Sequence, residues 1–192
     1  IKALQTPRGE FVGKAMQLVQ FSGPIKPEWV ASLEATGAEI VTYLPSYTYL
    51  IYGDANEIAR VQRLAGVMRE IQWNGAYQAE HRVAPAAAAL AQDPQTALAE
   101  DIAFSIQLVS DPEMNKSTLG LIDSLRTGKV VNEYDALHYH NIIVPITPAD
   151  IYTIAAQGDV VSIHRYVVPR KNGERQDQII AGNISGNSPS GP

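Results

Sequence analysis

The sequence predicts an α+β fold made of two tandem ferredoxin-like βαββαβ units, each an antiparallel sheet with helices on one face. The first reason is that an order of strand, helix, two strands, helix and strand occurs twice along the chain, which is the order of the ferredoxin-like motif. The second is that Gly37 and Gly128 end helix-like segments at matching places in the two halves. The third is that Asp54 and Thr147 begin helix-like segments at matching places, as N-cap residues do. Residue identity between the halves is low, so the order of the elements supports the repeat.

In the first half, residue types and spacing fit each predicted element. Pro27 suits the first position of a helix, and Trp29 and Leu33 lie on one face of that helix. Asp54, with Glu57 three residues later, is a variant of the capping box. The predicted strands cover 16–21, 39–44, 47–52 and 67–73, and the predicted helices run over 27–36 and from 54 onwards.

The second half repeats this design. Leu119, Ile122 and Leu125 line one helical face. Thr147 followed by Pro148 is a strong signal for the start of a helix. The predicted strands cover 103–109, 130–133, 137–144 and 160–167, and the predicted helices run over 115–127 and from 147 onwards.

The sequence therefore divides the chain into four parts. These are the first unit with an N-terminal lead-in (1–78), an alanine- and proline-rich linker (79–100), the second unit (101–171) and a polar tail (172–192). The alanines between Pro85 and Pro94 fit either a linker that sets the angle between the units or a strand tail followed by one short helix. Each unit is close to the lower size limit for an independent core, so we expect the two units to pack together.

Composition excludes several classes of function. The net charge of -5 argues against nucleic acid or an anionic membrane as the main partner. No apolar run approaches the roughly 18 residues that a membrane-spanning helix needs. The chain has no cysteine, so it forms no disulfides and performs no thiol chemistry. Because it begins at Ile1 without methionine and ends in a polar segment, we interpret it as a piece of a longer protein.

The sequence contains no recognisable catalytic, cofactor-binding or metal-binding motif. A phosphate-binding glycine loop, HExxH, a Cys/His zinc pattern and the nucleophile elbow are all missing from it. His138 and His140 alternate on a predicted strand, but with no acidic partner evident we interpret them as partly exposed strand residues rather than metal ligands. Four tyrosines between residues 43 and 52 fit a cross-strand aromatic ladder better than a ligand platform. The chain by itself is expected to be non-catalytic, without cofactor or metal.

Three stretches carry a family resemblance. The runs LVQFSGPIKPEW (18–29), LEATGA (33–38) and YLPSY (43–47) resemble the opening of the long N-terminal pro-region of large bacterial subtilisin-like serine proteases. The stretch from 178 to 192 resembles the segment that leads into the catalytic part of those precursors. The family's catalytic Asp-x-Gly, His-Gly-Thr and Gly-Thr-Ser stretches do not occur in this sequence, so no catalytic residue is carried over.

The resemblance implies a non-catalytic role in a secreted bacterial protease precursor. Pro-regions of this family act as intramolecular folding chaperones and temporary inhibitors of their own catalytic domain, which would be the partner here. Their sheet docks on the protease, and the chain that leaves the last strand lies in the substrate cleft as an added strand. By position, the candidate cleft segment is Val167, Val168, Pro169, Arg170 and Lys171.

Residues 165–168 depart from the family pattern, and two functions other than that of a pro-region also fit the sequence. Simple subtilisin pro-regions carry acidic residues just after the last strand, whereas residues 165–168 read Arg-Tyr-Val-Val here. Which unit docks is therefore not settled by the sequence, and 171–176 is the more plausible cleavage region. The alternatives are a tandem ferredoxin-like module that binds a small molecule or regulates an attached enzyme through a cleft between the units, and a retained protein-interaction domain.

Overall fold

The computed structural model describes residues 11–168 and, outside that range, the backbone of three short strands, Leu4–Thr6, Ile184–Ser185 and Ser188–Pro189. The last two of these strands pair with each other in an antiparallel manner. Within the described part, two units follow each other along the chain, and each has the order βαββαβ. The predicted fold class is confirmed.

The first unit has a five-stranded sheet with helices on one face. Its elements are β1 (Leu4–Thr6), β2 (Lys14–Phe21), α1 (Pro27–Glu34), β3 (Glu39–Leu44), β4 (Thr48–Asp54), α2 (Ala55–Val67) and β5 (Ile71–Ala76). The strand order is β1-β5-β2-β4-β3. Strand β2 pairs antiparallel with both β4 and β5, and β1 joins β5 in parallel. Without β1, this is the ferredoxin-like order of strands.

The second unit has a four-stranded sheet with the same order. Its elements are β6 (Ala103–Val109), α5 (Pro112–Leu125), β7 (Asn132–Ala136), β8 (Tyr139–Pro145), a single 3₁₀ turn (Pro148–Asp150), α6 (Ile151–Ala155) and β9 (Val160–Arg165). The strand order is β7-β8-β6-β9, so β7 and β9 are the two edge strands. All three pairings are antiparallel.

Residues 79–100, assigned to a linker from the sequence, contain two helices, α3 (Ala79–Arg82) and α4 (Pro85–Gln92). Ala87 is fully buried in the core of the second unit, and the amide of Ala84 donates to the carbonyl oxygen of Ile163 in β9. The two helices therefore pack on the second unit and cover its face beside β9.

Side-chain caps mark the starts of α2 and α5, whereas Thr147 makes no side-chain cap bond. The predicted capping box at the start of α2 is present, because the Glu57 amide donates to Asp54 and the Asp54 amide donates to Glu57. Helix α5 begins at Pro112, earlier than the predicted start at 115, because the side chain of Asp111 accepts a hydrogen bond from the Met114 amide. Several other boundaries shift by a few residues; β5 lies over Ile71–Ala76 rather than 67–73, and β7 over Asn132–Ala136 rather than 130–133.

Three clusters of buried apolar side chains hold the sheets and helices of the two units together. One cluster lies between the first sheet and its helices and includes Val19, Phe21, Leu33, Ile58 and Val61. A second lies between the second sheet and α4, α5 and α6, and includes Ala87, Phe104 in β6 and Ile163 in β9. A third cluster, which we call the junction, joins the two units; its buried members are Met16, Val41, Leu50, Tyr52, Val109 and Val161. The two sheets thus meet by the faces that their helices leave open.

Candidate surface at the end of the second sheet

The candidate cleft segment begins where the chain leaves β9, an edge strand of the second sheet. The Tyr166 amide still donates to the carbonyl oxygen of Ala103, so the chain stays beside β6 for one residue after β9 ends. Val167 and Val168 are both 68% exposed. The other three candidate residues, Pro169, Arg170 and Lys171, lie outside the described residues. The structure therefore places the start of the segment in solvent at the end of the sheet.

A groove of about 300 Å³ lies at this end of the second sheet, and we call it the exit groove. It is lined by Asp101, Ile102, Ala103, Val131, Arg165, Tyr166 and Val168. These residues come from three places in the chain: the start of β6, the approach to β7 and the exit from β9. Sequence reasoning missed this groove, since nothing in the local pattern places Val131 beside Val168.

The face of the second sheet that points away from its helices is partly open and polar beyond the junction. Ser105 and Gln107 lie on it, because they alternate with Phe104 and other residues of the helix-side core. The Gln107 side-chain amide donates to Asn141 Oδ1 at 3.1 Å, across strands β6 and β8. This face offers hydrogen-bonding groups rather than a continuous apolar surface.

A small polar cluster fixes one side of the junction. Asp111 Oδ2 lies 2.8 Å from Lys14 Nζ and 3.2 Å from the Tyr52 hydroxyl, both in the first unit. Burial raises the pKa of the Asp111 carboxyl, but hydrogen bonds from Lys14, the Met114 amide and Tyr52 outweigh it, so the pKa is lowered from its ordinary value. The hydrogen bond to Asp111 raises the pKa of Lys14. Burial, together with the Asp111 charge, raises the pKa of Tyr52.

Two further tyrosines bond across the junction. The Tyr139 hydroxyl donates to the carbonyl oxygen of Val41 at 3.2 Å, and the Tyr77 hydroxyl donates to that of Val161 at 3.2 Å. Burial raises the pKa of Tyr77, and the neighbouring charge of Arg82 partly opposes that rise. Each tyrosine therefore bonds from its own unit to the backbone of the other unit.

A cavity of about 470 Å³ lies beside the junction. Its lining includes Lys14, Arg82 and Thr118, but each of these already has a partner. Lys14 pairs with Asp111, and Arg82 donates to the carbonyl oxygens of Tyr77, Ala155 and Gln157. Thr118 donates to Asp159, which is fully buried and also accepts from Asn115. Lys14 and Arg82 thus help to hold the two units together, whereas Thr118 is bonded within the second unit.

The two histidines differ from the sequence-based interpretation, and His138 lies in the turn before β8 rather than on a strand. His140 has two acidic neighbours on β7: its Nδ1 lies 2.8 Å from Asp135 Oδ1, and its Nε2 lies 3.1 Å from Glu133 Oε1. The expectation that no acidic partner is near was therefore wrong. His138 is exposed, and among the described residues no group of three or more His, Cys, Asp or Glu side chains is arranged to hold a metal ion. The missing signal was the register of the β7–β8 hairpin, which sets Asp135 directly opposite His140.

The tyrosine ladder forms only in part. Tyr43 and Tyr49 meet edge to face across β3 and β4, with ring centroids 5.6 Å apart. Tyr52 instead lies in the junction, where its hydroxyl contacts Asp111.

In the described part of the chain, no helix is long and apolar enough to cross a membrane.

Comparison with known proteins gives few matches. Residues 2–78 match the model of a domain of unknown function, DUF8729. No curated protein matches the chain. Among solved structures, the chain is similar to the crystal structure of the acetolactate synthase small subunit from Thermotoga maritima, with 16% sequence identity, 80% of this chain and 93% of that chain covered, and a TM-score of 0.25. A likeness at that TM-score supports no statement about function.

Proposed function

We propose that this chain is the pro-region of a bacterial subtilisin-like serine protease, acting as folding template and temporary inhibitor of the catalytic domain. The observation that carries the proposal is the exit of the chain from an edge strand of a ferredoxin-like unit into the exposed Val167 and Val168. An extended segment in that position can pair by its backbone with an open strand of a partner, with alternate side chains entering pockets.

The stretches that resemble the family support the proposal through their place in the fold. The run 18–29 forms the end of β2, the turn and the start of α1. Within it, the Phe21 and Trp29 rings stack with centroids 5.6 Å apart in the core of the first unit. The resemblance therefore includes core residues of this unit, Phe21 and Trp29, as well as the turn between them.

A folding template is useful to a partner whose sheet is built from non-local pairings, because such pairings form slowly. A preformed sheet can stabilise the partner's elements before the rest of the partner folds. The same contact blocks the substrate cleft while the exit segment occupies it. This role requires no reactive group on this chain, and binding, orientation and exclusion of substrate are sufficient.

The absence of acids at 165–168 bears on how the partner is recognised. Negative side chains near helix N-termini are stabilising, and the family pattern places them directly after the last strand. Here Asp101, which comes just before β6, lines the exit groove together with Arg165. A carboxylate is thus present at the same end of the sheet, although it comes from another part of the chain.

The proposal is tested first on the coding sequence that follows Pro192. We expect an Asp-x-Gly stretch followed by His-Gly-Thr and Gly-Thr-Ser stretches; an unrelated continuation contradicts the proposal. The encoded catalytic domain is then assayed with a chromogenic peptide in the presence of micromolar chain. Inhibition is expected, and a variant that ends after Arg165 is expected to inhibit at least tenfold less, because it lacks the exit segment.

A second candidate function is a ligand-binding regulatory module, and the cavity of about 470 Å³ beside the junction favours it. Its cationic side chains, Lys14 and Arg82, are already bonded within the chain, which makes it the weaker candidate. A thermal-shift screen of amino acids and metal ions tests it, since a ligand that binds only the native state raises the melting temperature. A clear shift with one compound, together with no inhibition of the protease, would favour this function.

A further inference from the structure

Four exposed valines gather at one end of the second sheet. Val130 is 39% exposed, Val131 is 55% exposed, and Val167 and Val168 are each 68% exposed. Strand β8 is antiparallel to both β7 and β6, and β6 is antiparallel to β9, so the start of β7 and the end of β9 lie at the same end of the sheet. Val130 lines a separate pocket with Leu119 and Ile122, whereas Val131 and Val168 line the same groove. Valine is most often buried in soluble proteins, so two exposed valines that share one groove indicate an interaction surface.

Two of these valines border the exit groove. Val131 and Val168 line it together, along with the partly buried Ile102, Ala103 and Tyr166. The groove is therefore mainly apolar, and Asp101 and Arg165 supply one charge of each sign. An apolar cleft bordered by a few polar groups is the usual form of a site that accepts a side chain.

We propose that the exit groove is a docking surface for the protease catalytic domain, into which that domain inserts an apolar side chain. This inference rests on the proposed function and deepens it, because it assigns the docking contact to the second unit. The occupant follows from continuity: Val168 belongs to the exit segment and also lines the groove. A partner that holds Val167 and Val168 as an added strand therefore lies directly against the groove.

The test compares inhibition constants of chain variants against the catalytic domain encoded after Pro192, with a chromogenic peptide as substrate. Val131→Asp replaces an apolar side chain of the groove by a carboxylate, which the partner's apolar side chain would have to desolvate at a cost. We expect its inhibition constant to rise at least tenfold. Val131→Ser removes apolar contact without adding charge and is expected to raise the constant several-fold. The matched control is Leu137→Asp, which changes a 93% exposed residue in the hairpin turn at the opposite end of the sheet and should leave the constant within twofold.

Circular dichroism and urea unfolding establish whether each variant is folded. If Val131→Asp is not folded, the inhibition constant of Val131→Ser is the deciding measurement. If the unmodified chain fails to inhibit, both the proposed function and the docking surface are overturned. If it inhibits and neither Val131 variant differs from it, the docking surface is overturned while the proposed function stands. An equal loss in Leu137→Asp would also overturn the docking surface, because the effect would not be specific to the groove.

Discussion

Asp111 joins the two units at the point where it also begins a helix. Its side chain caps α5 by accepting from the Met114 amide, and its Oδ2 lies 2.8 Å from Lys14 Nζ on the first unit. One carboxylate therefore serves the local structure of the second unit and its attachment to the first. Changes at Asp111 test whether the junction is a stable part of the fold.

Replacement of Asp111 by alanine should lower the free energy of unfolding by about 2 kcal/mol. Loss of an N-cap costs about 0.5–2 kcal/mol, and the ion pair adds little because Lys14 is partly exposed. Urea unfolding measures the change. The control is Asp123→Ala on the same helix, whose exposed pair with Arg126 should contribute less than about 0.5 kcal/mol. Equal effects of the two substitutions would mean that Asp111 has no special role.

The contribution of Asp111 should also depend on pH. Its pKa is lowered in the folded state, so the stability that it contributes is present above the unfolded pKa of about 3.9 and is lost as pH falls through the folded pKa. Asp111→Asn keeps a capping side chain but has no such proton equilibrium. The difference in unfolding free energy between the two proteins should therefore shrink between pH 6 and pH 3. A difference that stays constant over that range would contradict the assignment.

Tyr52 should show the opposite pH dependence. Because its pKa is raised by burial and by the Asp111 charge, the stability contributed by its neutral hydroxyl is fully present below the unfolded pKa of about 10. That contribution is lost as pH rises towards the higher folded pKa. Tyr52→Phe should thus be less stable than the unmodified chain at pH 8, and the difference should narrow above pH 10. Urea unfolding at pH 8, 10 and 11 measures it.

Gly158 of the second unit lies directly against the backbone of Lys14 in the first unit. A Cβ at this position would overlap the carbonyl oxygen of Lys14, which is backbone and cannot turn aside. Gly158→Ala should therefore cost about 2 kcal/mol, in the range of overpacked cores. Gly120→Ala is the matched control, because nothing lies within 4 Å of its added methyl group in α5. That control should gain about 0.5–1 kcal/mol from helix propensity. Equal and small effects would contradict the close contact.

Much of the fold could be predicted because local signals agreed with it. The capping box at Asp54 and the helical spacing of Ile58 and Val61 fixed α2, and both apolar side chains are buried as expected. Helix α5 begins at Pro112, three residues before the predicted start at 115, because Asp111 and Pro112 supply the N-cap and the first helical position.

The surfaces could not be predicted because they depend on contacts between distant segments. Strand β2 has apolar residues on both faces, Met16 and Leu18 on one and Val19 and Phe21 on the other. The structure buries both faces, and the local sequence does not identify the element that covers Met16 and Leu18, which is the second sheet. The exit groove likewise depends on three separated segments and on the register of the second sheet.

The central claim, that this chain is a protease pro-region, is tested most directly by refolding the proposed catalytic domain with and without this chain supplied as a separate polypeptide. The account predicts that the chain increases the rate at which native catalytic domain forms, and that proteolytic activity stays low until the chain is cleaved or removed. Refolding at the same rate in both cases, with full proteolytic activity in the presence of intact chain, would contradict the account.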